Sequence, residues 1–291
     1  MTDARGLQVH EGAPVSATVV PRVDLDLSRR LEWLEAHTNV AFIESRARLE
    51  PDLGAAWMQQ DGAFAMFDGV DSPLTQTFGV GLADTWTASS FEPIEAFFAE
   101  RDADVYHEVS PLVGPLVLEQ LVSRGSVPCE FTSVLYHPLP GDAPLPVPGD
   151  LSVYRIPPDQ QALWARVAAE GWSEFEALRS FMASFGPVTA GADGVHPFLV
   201  QQAERPIAAG LLSVHDGAAL LAGASTVPDA RRRGAQRALL RARLQHASEL
   251  GCTLAMIGAT PGSRSQCNAE SQGFRIAYTR IKWHLRRTSH A

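Results

Sequence analysis

The chain has 291 residues, 45% of them apolar and 20% charged, with a formal net charge of −9. That length suits two ordinary domains with a sizeable core, and the acidic balance speaks against general nucleic-acid binding, which calls for net basic surface. Cys129, Cys252 and Cys267 stand far apart without metal-ligand spacing, a usage expected of a reducing compartment and not of a disulfide framework or a metal centre. Met1 to Asp24 holds no apolar run of signal-peptide length, and no run approaches the ~20 apolar residues of a membrane span. The expectation is a soluble, cytoplasmic protein with no metal, nucleic acid or membrane partner.

Residues 1–25 are polar and irregular. Leu27, Leu31 and Leu34, with Trp33 alongside, have helical spacing and predict a helix from Leu25 to His37, followed by a less regular stretch to Gln60. Ala63 to Phe67 and Leu74 to Leu82 read as strands. Phe91 to Arg101 reads as a helix with Ser89 or Ser90 at its N-cap. Val105 to Val109 then reads as a strand, Gly114 to Ser123 as a helix and Cys129 to His137 as an alternating strand. Residues 138–150 carry five prolines in thirteen positions, which excludes helix and interior strand and predicts an extended connector at a domain boundary. Beyond it the reading is strand 151–155, helix 160–170, helix 175–185, a turn-rich loop 186–195 and strands 197–202 and 207–215. Asp216-Gly217 then predicts a tight hairpin into strand 218–226.

Between that strand and a helix-like run, Gln236 to Leu250, stands Val227-Pro228-Asp229-Ala230-Arg231-Arg232-Arg233-Gly234-Ala235. The first amides of a helix have no internal acceptor and lie at the positive end of its dipole, so strand, glycine turn and helix together make an anion site. Arginines crowded at that end conflict with the dipole unless a polyanion binds there. A strand (252–260) follows, then a segment with Asn268, then Gly273-Phe274 and a strand (275–285).

This succession resembles motif A and the elements after it in the GCN5-related N-acetyltransferases, whose loop reads Arg/Gln-x-x-Gly-x-Gly/Ala. Arg231 matches the first position and Gly234 the central glycine, whereas Gln236 departs from the third. The resemblance implies an α/β fold with a mixed sheet: an acetyltransferase domain over 151–291, the proline-rich linker 138–150, and 1–137 as a degenerate domain of the same type. The order strand, helix, strand, helix, strand recurs in both halves and suggests a tandem duplication. Each half is one strand short of the family pattern, so each could lend the other a strand or an interface. The first half lacks the anion loop: Leu82 to Phe91 holds neither glycine nor arginine, and Asp84 would repel phosphate.

Carried over residue by residue, the resemblance makes acetyl-CoA (coenzyme A) the cofactor and the protein an acetyl-CoA-dependent N-acetyltransferase. The acceptor is a primary amine of a small molecule or peptide, and a homodimer is compatible with the sequence. The amides of Arg232, Arg233, Gly234, Ala235, Gln236 and Arg237 would hold the pyrophosphate, with Arg241 and Arg243 read as a solvated helix face. The backbone of Ser225, Thr226 and Val227 would align the thioester. Asn268 would meet the pantetheine arm or cap its short helix. The family's tyrosine acid is replaced by Ala269, leaving Ser265 or Cys267 as substitutes or an unassisted thiolate departure. Tyr278 is expected to pack in the sheet. The strand 218–226 has no carboxylate, so Glu174 is the candidate base or amine anchor, with Trp172 and Phe175 as acceptor-pocket walls. His196, His215 and His246 look isolated. The competing reading is a non-catalytic acyl-CoA-binding or scaffold module.

Overall fold

The computed structural model describes residues 20–139 and 150–286. Nearly all of the proline-rich connector lies outside the described residues, although Pro138, assigned to it above, ends a strand. The first helix, α1 (Leu25–Leu49), is opened by Asp24, whose carboxylate accepts from the Leu27 amide at 3.0 Å. It continues well past His37. The sequence concealed this because the later buried positions are polar: Thr38 donates to Ser213, Ser45 to the Val188 carbonyl and Arg46 to Asp68. Periodicity counts apolar residues and misses a helix face buried through hydrogen bonds.

The strands are β1 (Ala56–Gln60), β2 (Ala63–Phe67), β3 (Gln76–Phe78), β4 (Val105–Val109), β5 (Val127–Pro138), β6 (Leu151–Arg155), β7 (Val195–Gln202), β8 (Arg205–His215), β9 (Ala218–Thr226), β10 (Leu254–Ala259) and β11 (Arg275–Leu285). The helices after α1 are α2 (Phe91–Ala99), α3 (Pro115–Ser123), α4 (Gln161–Glu170), α5 (Glu176–Ala190), α6 (Ala235–Glu249) and α7 (Arg264–Glu270). Three expectations are corrected. β1 lies in the stretch read as irregular and pairs with β2 across Asp61-Gly62, whose positive φ values of 44° and 79° suit a two-residue hairpin. The strand expected over 74–82 shrinks to Gln76–Phe78, since Gly79 and Gly81 both adopt positive φ. α5 runs through Gly186-Pro187, read above as the start of a loop. Gly186 packs on α4 so closely that a Cβ there would lie 2.4 Å from the Ala165 Cβ.

Among the described residues the strands form one mixed sheet, in the order β1-β2-β3-β4-β11-β5-β10-β9-β8-β7-β6. Its centre is an exchange. β5, from the first half, pairs antiparallel with β10 and β11, while β11, from the second half, pairs antiparallel with β4 and β5. About the β5–β11 pair the order matches for four strands on either side, with β3–β4 and β9–β10 as the two parallel pairs and β6 as a fifth strand on the second side. The missing strand of each half is thus supplied by the other.

α1 lies across this sheet and contacts strands of both halves. Leu27, Leu31 and Leu34 pack with Val134, Tyr136, Leu220 and Met256. Beside them sits a buried charge cluster. Arg280 on β11 donates to Glu108 (2.9 Å), Glu35 (2.8 Å) and Glu32 (3.3 Å), and Lys282 pairs with Glu108 at 3.1 Å. Tyr278 is buried, as expected, and its hydroxyl donates to Glu32 at 2.8 Å. Burial pushes the Glu32 carboxyl up to about 7 despite the opposing pull of Arg280.

Candidate functional site

α6 opens at Gly234, in the left-handed region at φ 86° and ψ −1°, with no side chain capping the helix. The first amide with an acceptor is that of Ala238, bonded to the Gly234 carbonyl at 3.0 Å. Among the described residues, the amides of Arg232 to Arg237 face no acceptor. The turn is open to solvent: Arg232, Arg233, Gly234 and Arg237 are exposed, and a Cβ on Gly234 would meet nothing nearer than Leu151 at 3.9 Å. Arg232 itself adopts φ 64°. Left-handed backbone at Arg232 and again at Gly234, followed by the free first amides of a helix, suits an anion.

The arginines divide by role. The side chain of Arg231 turns back, donating to the carbonyls of Gly171 (3.1 Å) and Thr226 (3.3 Å) and pairing with Glu174. Arg233 is tethered to Gln202 and to the Asp229 carbonyl, while Asp229 is held by a two-pronged pair with Arg205 at 2.7 and 3.1 Å. Arg232 and Arg237 have no partner among the described residues and remain available to a ligand. The side chain of Gln236, the departure from the motif, folds onto the Thr226 hydroxyl at 2.7 Å, which leaves its backbone N–H free. Arg241 and Arg243 are not a solvated face. Arg241 donates to Gln272, and Arg243 is only 2% exposed, with its guanidinium on the Leu211 and Ala222 carbonyls at 2.8 and 3.2 Å. Burial lowers the pKa of Arg243.

Those carbonyls belong to a bulge. Between Ala209 and Leu211 the β8–β9 register slips, and Gly223 takes φ 60°. On its other edge β9 pairs with β10 only from Ala218 to Leu220, although β9 runs to Thr226 and β10 to Ala259. The two strands part, and the edge of β9 leading to Ser225, Thr226 and Val227 is left without a β10 partner. A slot of this kind beside an anion turn can take an extended arm through backbone hydrogen bonds. Val227 already donates its amide to Ile207, and the Ser225 hydroxyl donates to the Ala168 carbonyl at 3.0 Å.

The segment after α4 abuts this strand end. Gly171 is so near that a Cβ would lie 2.4 Å from the Ser225 Oγ and 3.0 Å from the Thr226 amide nitrogen. This brings Trp172 (half-buried), Glu174 and Phe175 (58% exposed) beside the loop. The carboxylate of Glu174 is engaged by Arg231. On α7, Ser265, Cys267 and Asn268 are all exposed, and Ala269 is the residue that turns inward at 1% exposure. The helix is capped by Ser263, which accepts from the Gln266 amide, so Asn268 is not its cap. His196 and His246 meet edge to face at 5.1 Å, and His215 stacks on His37 at 3.8 Å, contacts that no sequence spacing announced.

The corresponding helix start in the first half is closed. Before α2, Thr87 and Ser90 form a capping box, and the Ser90 hydroxyl donates to Asp61 at 2.6 Å. That bond holds the Asp61 carboxyl below its usual range. The Asp61 carboxylate thus sits on Ser90, the residue that precedes α2.

No family model matches the sequence, and no curated protein does. Solved structures do match. A GCN5-related N-acetyltransferase from Kribbella flavida superposes with a TM-score of 0.60 at 16% identity, over 86% of this chain and 97% of that one. A tandem GNAT protein from the clavulanic acid biosynthesis pathway gives 0.54 at 13% identity, over 91% and 96%. A putative acetyltransferase from the GNAT family of Novosphingobium aromaticivorans gives 0.50 at 15%, over 85% and 97%. The chain has the fold of the GCN5-related N-acetyltransferases.

Proposed function

We propose that the protein is an acetyl-CoA-dependent N-acetyltransferase acting on a primary amine of a small molecule or peptide, with its cofactor site in the second half. The observation that carries this reading is the solvent-facing, uncapped start of α6, with free amides from Arg232 to Arg237 around a left-handed Gly234. These amides suit a pyrophosphate, and Arg232 and Arg237 add charge without having to leave another partner. The unpaired edge of β9 at Ser225 and Thr226 would hold the pantetheine arm, and Asn268 on α7 would hydrogen-bond that arm.

Acetyl-CoA supplies an activated acyl group as a thioester. The protein's part is to align that carbonyl against β9 and to present the amine lone pair. The new N–C bond forms as the C–S bond breaks, the electron pair leaves on sulfur, and the proton lost by the amine is balanced by the one that the departing thiolate takes up from solvent to become the free thiol. A thiol is acidic enough to leave with little help, which suits a site whose α7 turns Ala269 inward. The test is release of free thiol from acetyl-CoA with a panel of amines, beside calorimetric titration with CoA. Turnover with at least one amine is expected, and absence of CoA binding defeats the reading.

A second reading, a non-catalytic acyl-CoA-binding or scaffold module, is favoured by the exposure of Ser265 and Cys267 and the pairing of Glu174 with Arg231. Tight CoA binding without thiol release across the panel would establish it.

A further inference from the structure

Behind the β9 bulge lies a cavity of about 230 Å³, or about eight water volumes. Its walls come from both halves: Glu35, Asn39 and Phe42 on α1, Gln76 on β3, and Phe185 on α5, with Gly223 of the bulge in its floor. Among the described residues the lining contains no lysine or arginine.

Two of its polar groups are left in an unusual state. Gln76 is 7% exposed, and its side-chain carbonyl has no hydrogen-bond donor among the described residues. A buried acceptor without a donor costs free energy that a ligand N–H would recover. Glu35 is the member of the Glu32–Glu35–Glu108–Arg280–Lys282 cluster that lines the cavity, and it keeps 18% of its side chain exposed. Burial keeps a proton on Glu32 up to about pH 7, and above that the three carboxylates of the cluster outnumber Arg280 and Lys282, so a cation at Glu35 then balances it. Apart from Thr38, Asn39 and Thr189 the remaining walls are apolar, and Phe181 and Phe185 stack at 5.0 Å.

We propose that this cavity is the acceptor subsite, where Glu35 and Gln76 hold the amine nitrogen of a small, compact, apolar-bodied primary amine over the β9 bulge. The assignment rests on the acetyl-transfer reading above. It gives the first half a task there: although that half has no anion turn of its own, α1 and β3 supply the groups that choose the acceptor.

The experiment titrates the full-length protein, without CoA, with phenethylamine and with its neutral isostere 2-phenylethanol. It is repeated for Gln76→Leu and Glu35→Gln, with CoA affinity and circular dichroism measured on every variant. Gln76→Leu keeps the volume and removes the orphan carbonyl, so it tests the site even if Glu35→Gln loosens the Arg280 cluster. The amine is expected to bind at least ten-fold more tightly than the alcohol, and Gln76→Leu to lose at least ten-fold toward the amine while CoA affinity is unchanged. Equal binding of amine and alcohol, unaltered amine affinity in Gln76→Leu, or no amine binding to the parent protein each overturns the subsite. Failure of CoA to bind the parent protein overturns the transferase reading instead, and the amine titration reports on the cavity independently of it.

Discussion

At the residue scale, the proposed cofactor site turns on Gly234. Replacing it with aspartate puts a β-carbon at φ 86° and a negative charge where phosphate would sit. Gly234→Asp is expected to abolish CoA binding by calorimetry with the circular dichroism spectrum retained, while Thr85→Asp, in the first half, leaves CoA affinity unchanged. The glycine was legible because a basic turn between an apolar strand and a helix has few other uses. Arg231 was legible as a motif position, yet its side chain ties Gly171 and Glu174 to the strand end, a role that exists only once those elements meet. Arg243 was misread for the same reason, since the Leu211 and Ala222 carbonyls that receive it are exposed to it by the bulge. Arg243→Ala leaves buried carbonyls without donors, and a loss of about 2–4 kcal/mol in urea denaturation is expected.

At the scale of elements, α1 shows where pattern reading stops. Its first turns carry leucines at helical spacing and were found. Its later turns bury Thr38, Ser45 and Arg46 against partners far away in sequence, and were not. The same helix carries Glu32 into the Arg280 cluster and so gives the fold a pH dependence. The folded-state pKa of this acid is raised from 4.5 to about 7, so between those values the folded protein holds a proton that the unfolded chain has lost. Stability from this group is therefore greatest below pH 4.5 and falls as pH rises to about 7, then levels off. Glu32→Gln keeps an acceptor for Tyr278 and removes the titration. The variant is expected to match the parent near pH 4.5 and to exceed it above pH 7, by up to about 3 kcal/mol in chemical denaturation.

At the scale of the whole molecule, the exchanged strands decide how the two halves behave. Element order alone showed each half one strand short, but which strand crosses, and that both do, depends on pairing between distant segments that no local pattern encodes. Since β5 completes the sheet beside β10 and β11 the sheet beside β4, residues 1–139 and 150–291 expressed separately are each expected to give aggregated or partly folded material by size-exclusion chromatography. Co-expression is expected to restore a soluble complex that binds CoA. For the same reason calorimetry on the intact chain should show one cooperative transition, the van't Hoff and measured enthalpies agreeing. Two separated transitions would contradict this.

The place of β11 between β4 and β5 also bears on synthesis. During translation the first half emerges with one edge of β4 and both edges of β5 waiting for segments not yet made, and open edges of that kind invite wrong partners. The nascent chain therefore cannot mature piecewise from its N-terminus. Its central strands gain their full set of partners only once residues 275–285 clear the ribosome and enter between the two waiting strands.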